Sequence, residues 1–376
     1  MGSISIAGRP VGNATRPYVI AEIGHNHGGS LEAAKELVRA AAEAGADGVK
    51  LQKRTNRAIF TEAMYNAEYT GRNSFGPTYG AHREYLELDQ SDYQELQKVA
   101  FECNVDLFAT AFDPQSVDFL EKLDAPAIKI ASGDLTYTQL LRTAAATGIP
   151  MIVSTGGADA AEVRRAYEAI RGESATVPLA LLQCTATYPA RPEELNLGVI
   201  STYAREFDDP HTVTGYSGHD SGIDGALLAV GLGARVVEKH FTLDRTAPGS
   251  DHHFSLLPEE LGELTSRLDL WARMLGDPRK QRLPQEAAAL RKMRKCLVAA
   301  RDLEPDAVLT EKDIAFKSPG DGPMLPYEAD ELIGRTMRVA VRRDEFFDRG
   351  MLAPAGTPSR GGTGRREPAA TAGSRP

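Results

Sequence analysis

AIKIASGDLTYTQLLRTAAATGIPMIVSTGG, residues 127–157, holds two short apolar runs on either side of an amphipathic stretch. Ala127–Ser132 and Met151–Gly156 read as strands, and Thr138–Thr147 between them has helical spacing and closes on a glycine. Two strands joined by a crossover helix lie parallel. Strands this apolar are covered on both faces.

The same unit repeats outward in both directions. Further strands are expected at Tyr18–Gly24, Gly48–Gln52, Asp106–Phe112, Leu179–Thr185, Thr212–Gly218 and Arg235–Phe241, which makes eight in all. Helical segments fall between them at Ser30–Ala44, Ser91–Cys103, Pro114–Leu123, Asp159–Arg171 and Ser221–Leu232, several of them opening on a capping Ser or Asp. Eight alternations in an α/β chain predict a closed (β/α)8 TIM barrel. A doubly wound open sheet is the alternative, but it would more often carry GxGxxG after its first strand, which this chain lacks.

Thr55–Leu88 breaks the rhythm with a long, polar, aromatic stretch after the second strand, read as an ordered flap over the end where a barrel builds its site. A helix is expected at Pro258–Leu275. The barrel is assigned to 1–276, a charged, Pro-containing linker to 277–289, and a small, mainly β domain to 290–352 on the pieces KCLVAA, AVLTEKDIAF and MRVAVRR. The stretch 353–376, rich in Gly, Pro, Thr, Ser and Arg, is expected to be a disordered tail.

Lys and Arg number 43 against 52 Asp and Glu, a net charge of −9, which argues against a nucleic-acid surface as the main business. It does not exclude a small anionic substrate in a cleft where lysines converge. Cys103, Cys184 and Cys296 are widely spaced and read as reduced, packed thiols. With neither a signal peptide nor an 18-residue apolar run, a cytoplasmic protein away from membranes is expected.

Polar residues gather at the strand ends. Lys50 and Lys129 stand inside apolar strands, where an unpartnered charge costs several kcal/mol, and two of them on nearby strands favour an anion site over a buried ion pair. The turns ASGD (131–134) and STGG (154–157) follow strands and offer N–H groups and hydroxyls to a phosphate or carboxylate. His219 and His240 end consecutive strands and could share a divalent ion. His25, His27, His252 and His253 are read as loop contacts, His27 being a distant ligand candidate, and Asp251 as an acceptor for sugar hydroxyls.

In this order, AEIGHNHGG (21–29), GVKLQK (48–53), KIASGD (129–134), STGG (154–157), LLQCTATYP (181–189), GYSGHD (215–220), EKHFTLD (238–244) and GSDHHFSL (249–256) resemble the sialic acid synthase family, and 290–352 resembles the antifreeze-like (SAF) domain that follows its barrel. The resemblance implies an enzyme condensing phosphoenolpyruvate with an N-acylated hexosamine, N-acetylmannosamine or its 6-phosphate, to a nine-carbon 2-keto acid. It implies that His219 and His240 bind a divalent metal, manganese before magnesium or cobalt. Lys50, Thr110, Lys129, Ser132, Ser154 and Ser217 then match phosphoenolpyruvate contacts, Glu22 an acidic group near the reacting carbons, and Gln52, Tyr188 and Asp251 sugar contacts. A homodimer in which the small domain caps the neighbouring barrel is also implied.

Three positions depart from the family pattern: Ala186 replaces an Asn common in bacterial members, Ser318 stands in KSPGDG where many members have the Arg of RPG, and Asp134 replaces a Glu. These departures bear on sugar specificity more than on condensation. The insert 73–88 resembles the animal-type branch, whose acceptor is the 6-phosphate. Its His82 or Arg83 could serve a phosphate, with an exposed charged face as the favoured reading. Two other functions compete. A synthase for legionaminic, pseudaminic or an eight-carbon sugar acid would share the motifs, whereas a non-catalytic sugar- or ice-binding protein would have no use for Lys50, Lys129 and both histidines.

Overall fold

The computed structural model describes residues 2–13, 15–277 and 279–354. An antiparallel hairpin of β1 (Ile4–Ile6) and β2 (Arg9–Val11) comes first. Eight parallel strands follow: β3 (Tyr18–Gly24), β4 (Gly48–Lys53), β5 (Asp106–Ala111), β6 (Ile128–Ile130), β7 (Met151–Ser154), β8 (Leu179–Cys184), β9 (Thr212–Gly218) and β10 (Val236–His240). Each pairs with its neighbours in sequence, and β10 closes on β3, giving the expected (β/α)8 barrel.

Side-chain parity sorts this barrel into two cores. Val19, Ala21, Val49, Leu51, Leu107, Ala109, Ile128, Val153 and Val237 face outward and pack under the helices. Tyr18, Ile20, Phe108, Ala127, Ile152, Ala180, Leu182, Val213 and Val236 fill the interior together with Ile4, Ile6 and Val11 of the hairpin. The hairpin was not among the expected elements, although Ile4 and Ile6 alternate in a short strand that turns at Ala7 (φ 50°) and Gly8 (φ 78°). Continuing the inward parity two residues beyond the apolar layers brings Glu22, Lys50, Thr110, Lys129, Ser154, Ser217, Glu238 and His240 to the C-terminal mouth. That is where parallel barrels place their chemistry.

The 55–88 segment is ordered, as its aromatic content suggested. Short helices at Asn56–Ile59 and Glu62–Tyr65 precede a helix at Tyr79–Leu86, with Thr61 and Thr78 accepting hydrogen bonds from Met64 N and Ala81 N as N-caps. Gly80 is required there, because a Cβ would lie 2.5 Å from the Tyr65 ring. His82 is buried between Tyr69 and Phe75, its Nδ1 accepting from Phe75 N at 3.1 Å, and burial with the Arg83 charge pulls its pKa down to about 4. It belongs to the core of the flap, contrary to both readings offered for it.

The chain divides into two compact units close to residue 278. In the second, β11 (Cys296–Ala299) pairs antiparallel with β12 (Ile314–Lys317) over a core of Leu297, Leu303, Leu309, Met324, Leu332, Met337, Val341 and Phe347. MRVAVRR (337–343) forms only isolated bridges, Leu303 to Val341 and Met337 to Leu352, not a strand. A helix at Ala287–Met293 runs across the expected end of the linker at 289. The expected tail lies outside the described residues from 355 onward. Among the described residues no helix is long and apolar enough to cross a membrane.

Candidate active site

The barrel mouth opens into a cavity of about 820 Å3. Glu22, Lys50, Gln52, Thr110, Lys129, Ser132, Asp134, Ser154, Tyr188, Ser217, His219, His240 and Asp251, all singled out from sequence, line it together. Their convergence follows from register: in the barrel ladder His240 lies beside Glu22, Glu22 beside Lys50, Gln52 beside Thr110, and Thr110 beside Lys129. A shift in the β3–β4 register between Glu22 and Gly24 turns the chain at the rim. Gly24 sits there at φ 55°, close under the Glu22 and Gln52 side chains.

Lys50 forms the hub of the floor. Its Nζ lies 2.5 Å from Glu22 Oε2 and 3.8 Å from Glu238 Oε2, and it donates to Thr110 Oγ1 at 2.8 Å. Lys129 donates to the Ile130 carbonyl at 2.8 Å, and among the described residues no carboxylate lies within ion-pair distance of it. Burial lowers its pKa, partly offset by the Glu238 charge. The two carboxylates are pushed apart. Burial raises Glu22 more than Lys50 lowers it, whereas Glu238, also buried, is held down at about 2 by Lys129, Lys50 and the Ser217 hydroxyl, which donates to it at 2.9 Å. Glu22 therefore keeps a high affinity for a proton while Glu238 stays anionic. Gln52 Nε2 holds Glu22 Oε1 at 2.9 Å.

The ASGD and STGG turns meet directly: Gly156 N donates to Ser132 Oγ at 2.9 Å, and the neighbouring Ser154 Oγ is buried without a hydrogen-bond partner. On the opposite wall the His219 and His240 rings are 5.4 Å apart, with Phe254 packed against both. His219 Nδ1 donates to the Thr185 carbonyl at 2.8 Å, which fixes the tautomer and leaves Nε2 with its lone pair. His240 Nδ1 is buried without a hydrogen-bond partner, 3.7 Å from Asp251 Oδ2. Two such nitrogens fit a borderline cation, although among the described residues no group of three or more His, Cys, Asp or Glu side chains could hold one unaided.

Several lining residues were given no role in the site from sequence. Glu238 shares the inward parity of His240, a signal the spacing alone carries. Cys184, read as a packed thiol, lines the cavity with its Sγ 3.9 Å from His219 Nδ1. His25, read as a loop contact, and Arg83, read as part of an exposed face, also reach the cavity, as does Arg54. His27 and His252 do not: Gly29 N donates to His27 Nδ1, and Thr242 Oγ1 contacts His252 Nδ1.

The model of the NeuB family matches residues 37–280, and that of the SAF domain matches 294–353. The chain is 38% identical to human N-acetylneuraminate-9-phosphate synthase over 338 residues, 90% of this chain and 93% of that one. It is 37% identical to the N,N'-diacetyllegionaminic acid synthase of Legionella pneumophila over 87% of this chain and 92% of that one. The crystal structure of the N-acetylneuraminic acid synthetase of Leptospira borgpetersenii superposes with a TM-score of 0.67 at 30% identity, covering 76% of this chain and 94% of that one. A match on this scale, from the barrel through the small second unit, means that the chain belongs to the NeuB family of sialic acid synthase-type enzymes and carries a SAF domain.

Proposed function

We propose that the protein condenses phosphoenolpyruvate with an N-acylated mannosamine to a nine-carbon 2-keto sugar acid, releasing phosphate. The observation that carries this reading is the joint presence, in one cavity, of two buried ammonium groups and two imidazoles presented for a cation. Lys50 and Lys129, with Thr110, Ser132, Ser154 and Ser217, would hold the carboxylate and phosphate of the enol ester. Lys129, with no carboxylate within ion-pair distance among the described residues, leaves that floor a cation for a polyanion. The unpartnered Ser154 hydroxyl gains a partner when the anion binds.

His219 and His240 would hold a divalent ion, Mn2+ in first place, which when bound supplies positive charge for an aldehyde oxygen. The protein's own part is to orient. The enol C3 attacks the aldehyde carbon to form the new C–C bond, water adds to C2, and cleavage of the C2–O bond to phosphorus expels phosphate and leaves the ketone. Glu22, held by Gln52 and Lys50, is placed to take the proton of that water. Tyr188 and Asp251 on the opposite wall are assigned to the sugar.

The test is phosphate release from phosphoenolpyruvate. It is expected only with both an N-acylmannosamine and a divalent ion present, and to be lost in His219→Ala and His240→Ala. Release without any sugar would overturn the reading. The second reading, a legionaminic or related sugar acid synthase, is favoured by the 37% identity to such an enzyme and would appear as preferred turnover of another acceptor in a panel of aldoses, with the products read by mass spectrometry. We assign the working form to a cytoplasmic homodimer, for which light scattering is the check.

A further inference from the structure

The two imidazoles at the barrel mouth are not held alike. His219 is fixed by the bond from its Nδ1 to the Thr185 carbonyl at 2.8 Å and by the Tyr188 ring, whose centroid lies 4.1 Å from its own. His240 has no such anchor. Among the described residues its buried Nδ1 has no hydrogen-bond partner, and Asp251 Oδ2 at 3.7 Å stands beyond hydrogen-bond length. A metal-binding histidine almost always donates from its second ring nitrogen to a neighbour, which sets the plane of the ring. For His240, packing has to set it.

One ring is placed to do so. Phe254 is 1% exposed and does not line the cavity, yet it packs edge to face on His240 at 4.9 Å between centroids and on His219 at 6.1 Å, with Tyr188 at 5.8 Å. Such contacts favour one mutual orientation, because the positive edge of one ring meets the negative face of the next. Phe254 is itself clamped. Leu256 N donates to the His240 carbonyl at 2.7 Å and Thr242 N to the Leu256 carbonyl at 3.0 Å, so the chain just after Phe254 is bridged in parallel to the end of β10. Asn26, buried in the HNH loop after β3, donates to the Phe241 carbonyl at 2.9 Å and to Ser255 Oγ at 3.1 Å, and Ser255 Oγ donates to the Asp251 carbonyl at 2.6 Å. The asparagine of HNH thus ties the loop after β3 to the segment that carries Phe254.

We infer that Phe254, clamped through Ser255 by Asn26, is a positioning residue that fixes the His219 and His240 rings for a divalent cation. It acts only through those two rings. Without the phenyl group His240 Nδ1 would still lack a partner and its ring would be freer to turn, so the two imidazoles would have to be ordered when an ion binds, at the expense of affinity. An aliphatic side chain fills the space but has no ring edge to offer. This rests on the metal role proposed above for His219 and His240.

The test titrates Mn2+ into the intact protein, without phosphoenolpyruvate or sugar, and follows the free ion by electron paramagnetic resonance. Phe254→Leu, which keeps apolar bulk, is expected to weaken Mn2+ binding by roughly 10- to 100-fold, the range for groups that orient a metal-binding histidine. Asn26→Ala, which releases the clamp, should shift it the same way, and melting curves check that both variants fold. In turnover the Mn2+ needed for half-activation should rise by the same factor, while the KM of phosphoenolpyruvate, assigned to the lysines across the cavity, stays unchanged. Unchanged Mn2+ affinity in folded Phe254→Leu overturns the assignment, as does a KM of phosphoenolpyruvate that rises in step with the Mn2+ constant, which is the mark of general loosening. Should Phe254→Leu fail to fold, Asn26→Ala decides by the same two readings. A wild type that binds no Mn2+ also overturns it. Absence of phosphate release removes the condensation while the Mn2+ titration still judges Phe254, and release with unaltered Mn2+ affinity in both variants leaves the condensation standing without this role.

Discussion

Replacing Lys239 with Met should destabilise the barrel far more than removal of any surface cation. Lys239 lies between Glu238 and His240 with opposite parity, so it points away from the cavity into the layer between barrel and helices, with a side chain 1% exposed. Its Nζ donates to Asp220 Oδ1 at 2.8 Å and to the Asp220 carbonyl, and the buried Tyr216 hydroxyl donates to the same carboxylate oxygen at 2.6 Å. Deleting one member of a buried pair strands the other charge, at a cost of about 3–5 kcal/mol, whereas Tyr216→Phe should cost about 1 kcal/mol by losing a single hydrogen bond. At about 2 °C per kcal/mol for a unit of this size, Lys239→Met corresponds to a fall of about 6–10 °C in Tm. Trp271 is the only tryptophan and sits on the helix Pro258–Leu275 packed against the barrel core, so its fluorescence follows this unit and not the second. Urea titration on that signal gives the free energy directly. A cost below about 1 kcal/mol for Lys239→Met, the value of an exposed pair, or a pair-neutral Asp220→Asn/Lys239→Met double variant no more stable than Lys239→Met alone, would refute the buried pair.

Glu22→Gln should lower kcat by roughly 100- to 10,000-fold while moving the acceptor KM little, because the amide keeps the Gln52 contact but takes no proton; a fall in binding without a fall in kcat would remove the base assignment. Asp134 is raised to about 6 by burial, with Arg54 and Lys129 opposing. The stabilisation from its protonated form is complete below its ordinary value near 3.8 and is lost as pH rises through 6. Asp134→Asn is therefore expected to raise Tm at pH 7.5 and leave it nearly unchanged at pH 4, and an equal shift at both would refute the titration. Gly80→Ala forces a Cβ against the Tyr65 ring and should cost about 1–3 kcal/mol, confined to the flap, so the acceptor KM should rise while the Trp271 transition stays in place.

What the sequence discloses about this site is set by parity and burial. Lys50 and Lys129 stand out because a charge in an apolar strand has to be explained, and His219 and His240 because two strands end alike. The same parity separates neighbours on one strand: if His240 faces the cavity, Glu238 must, and Lys239 must not. It stops where the strands stop. Arg54, His25 and Arg83 belong to loops and a flap helix, and nothing in the text of AHREYLEL separates a guanidinium over a cavity from one in water. That distinction is made by Tyr65, Tyr69, Phe75 and His82, whose packing holds the helix and sets which side of it looks inward. The floor of the cavity is thus written in strand register and is legible by counting. The flap side of the cavity is written in tertiary packing, so a barrel can keep the chemistry of its floor and change what lines the rest of the cavity by altering a flap that no periodicity describes.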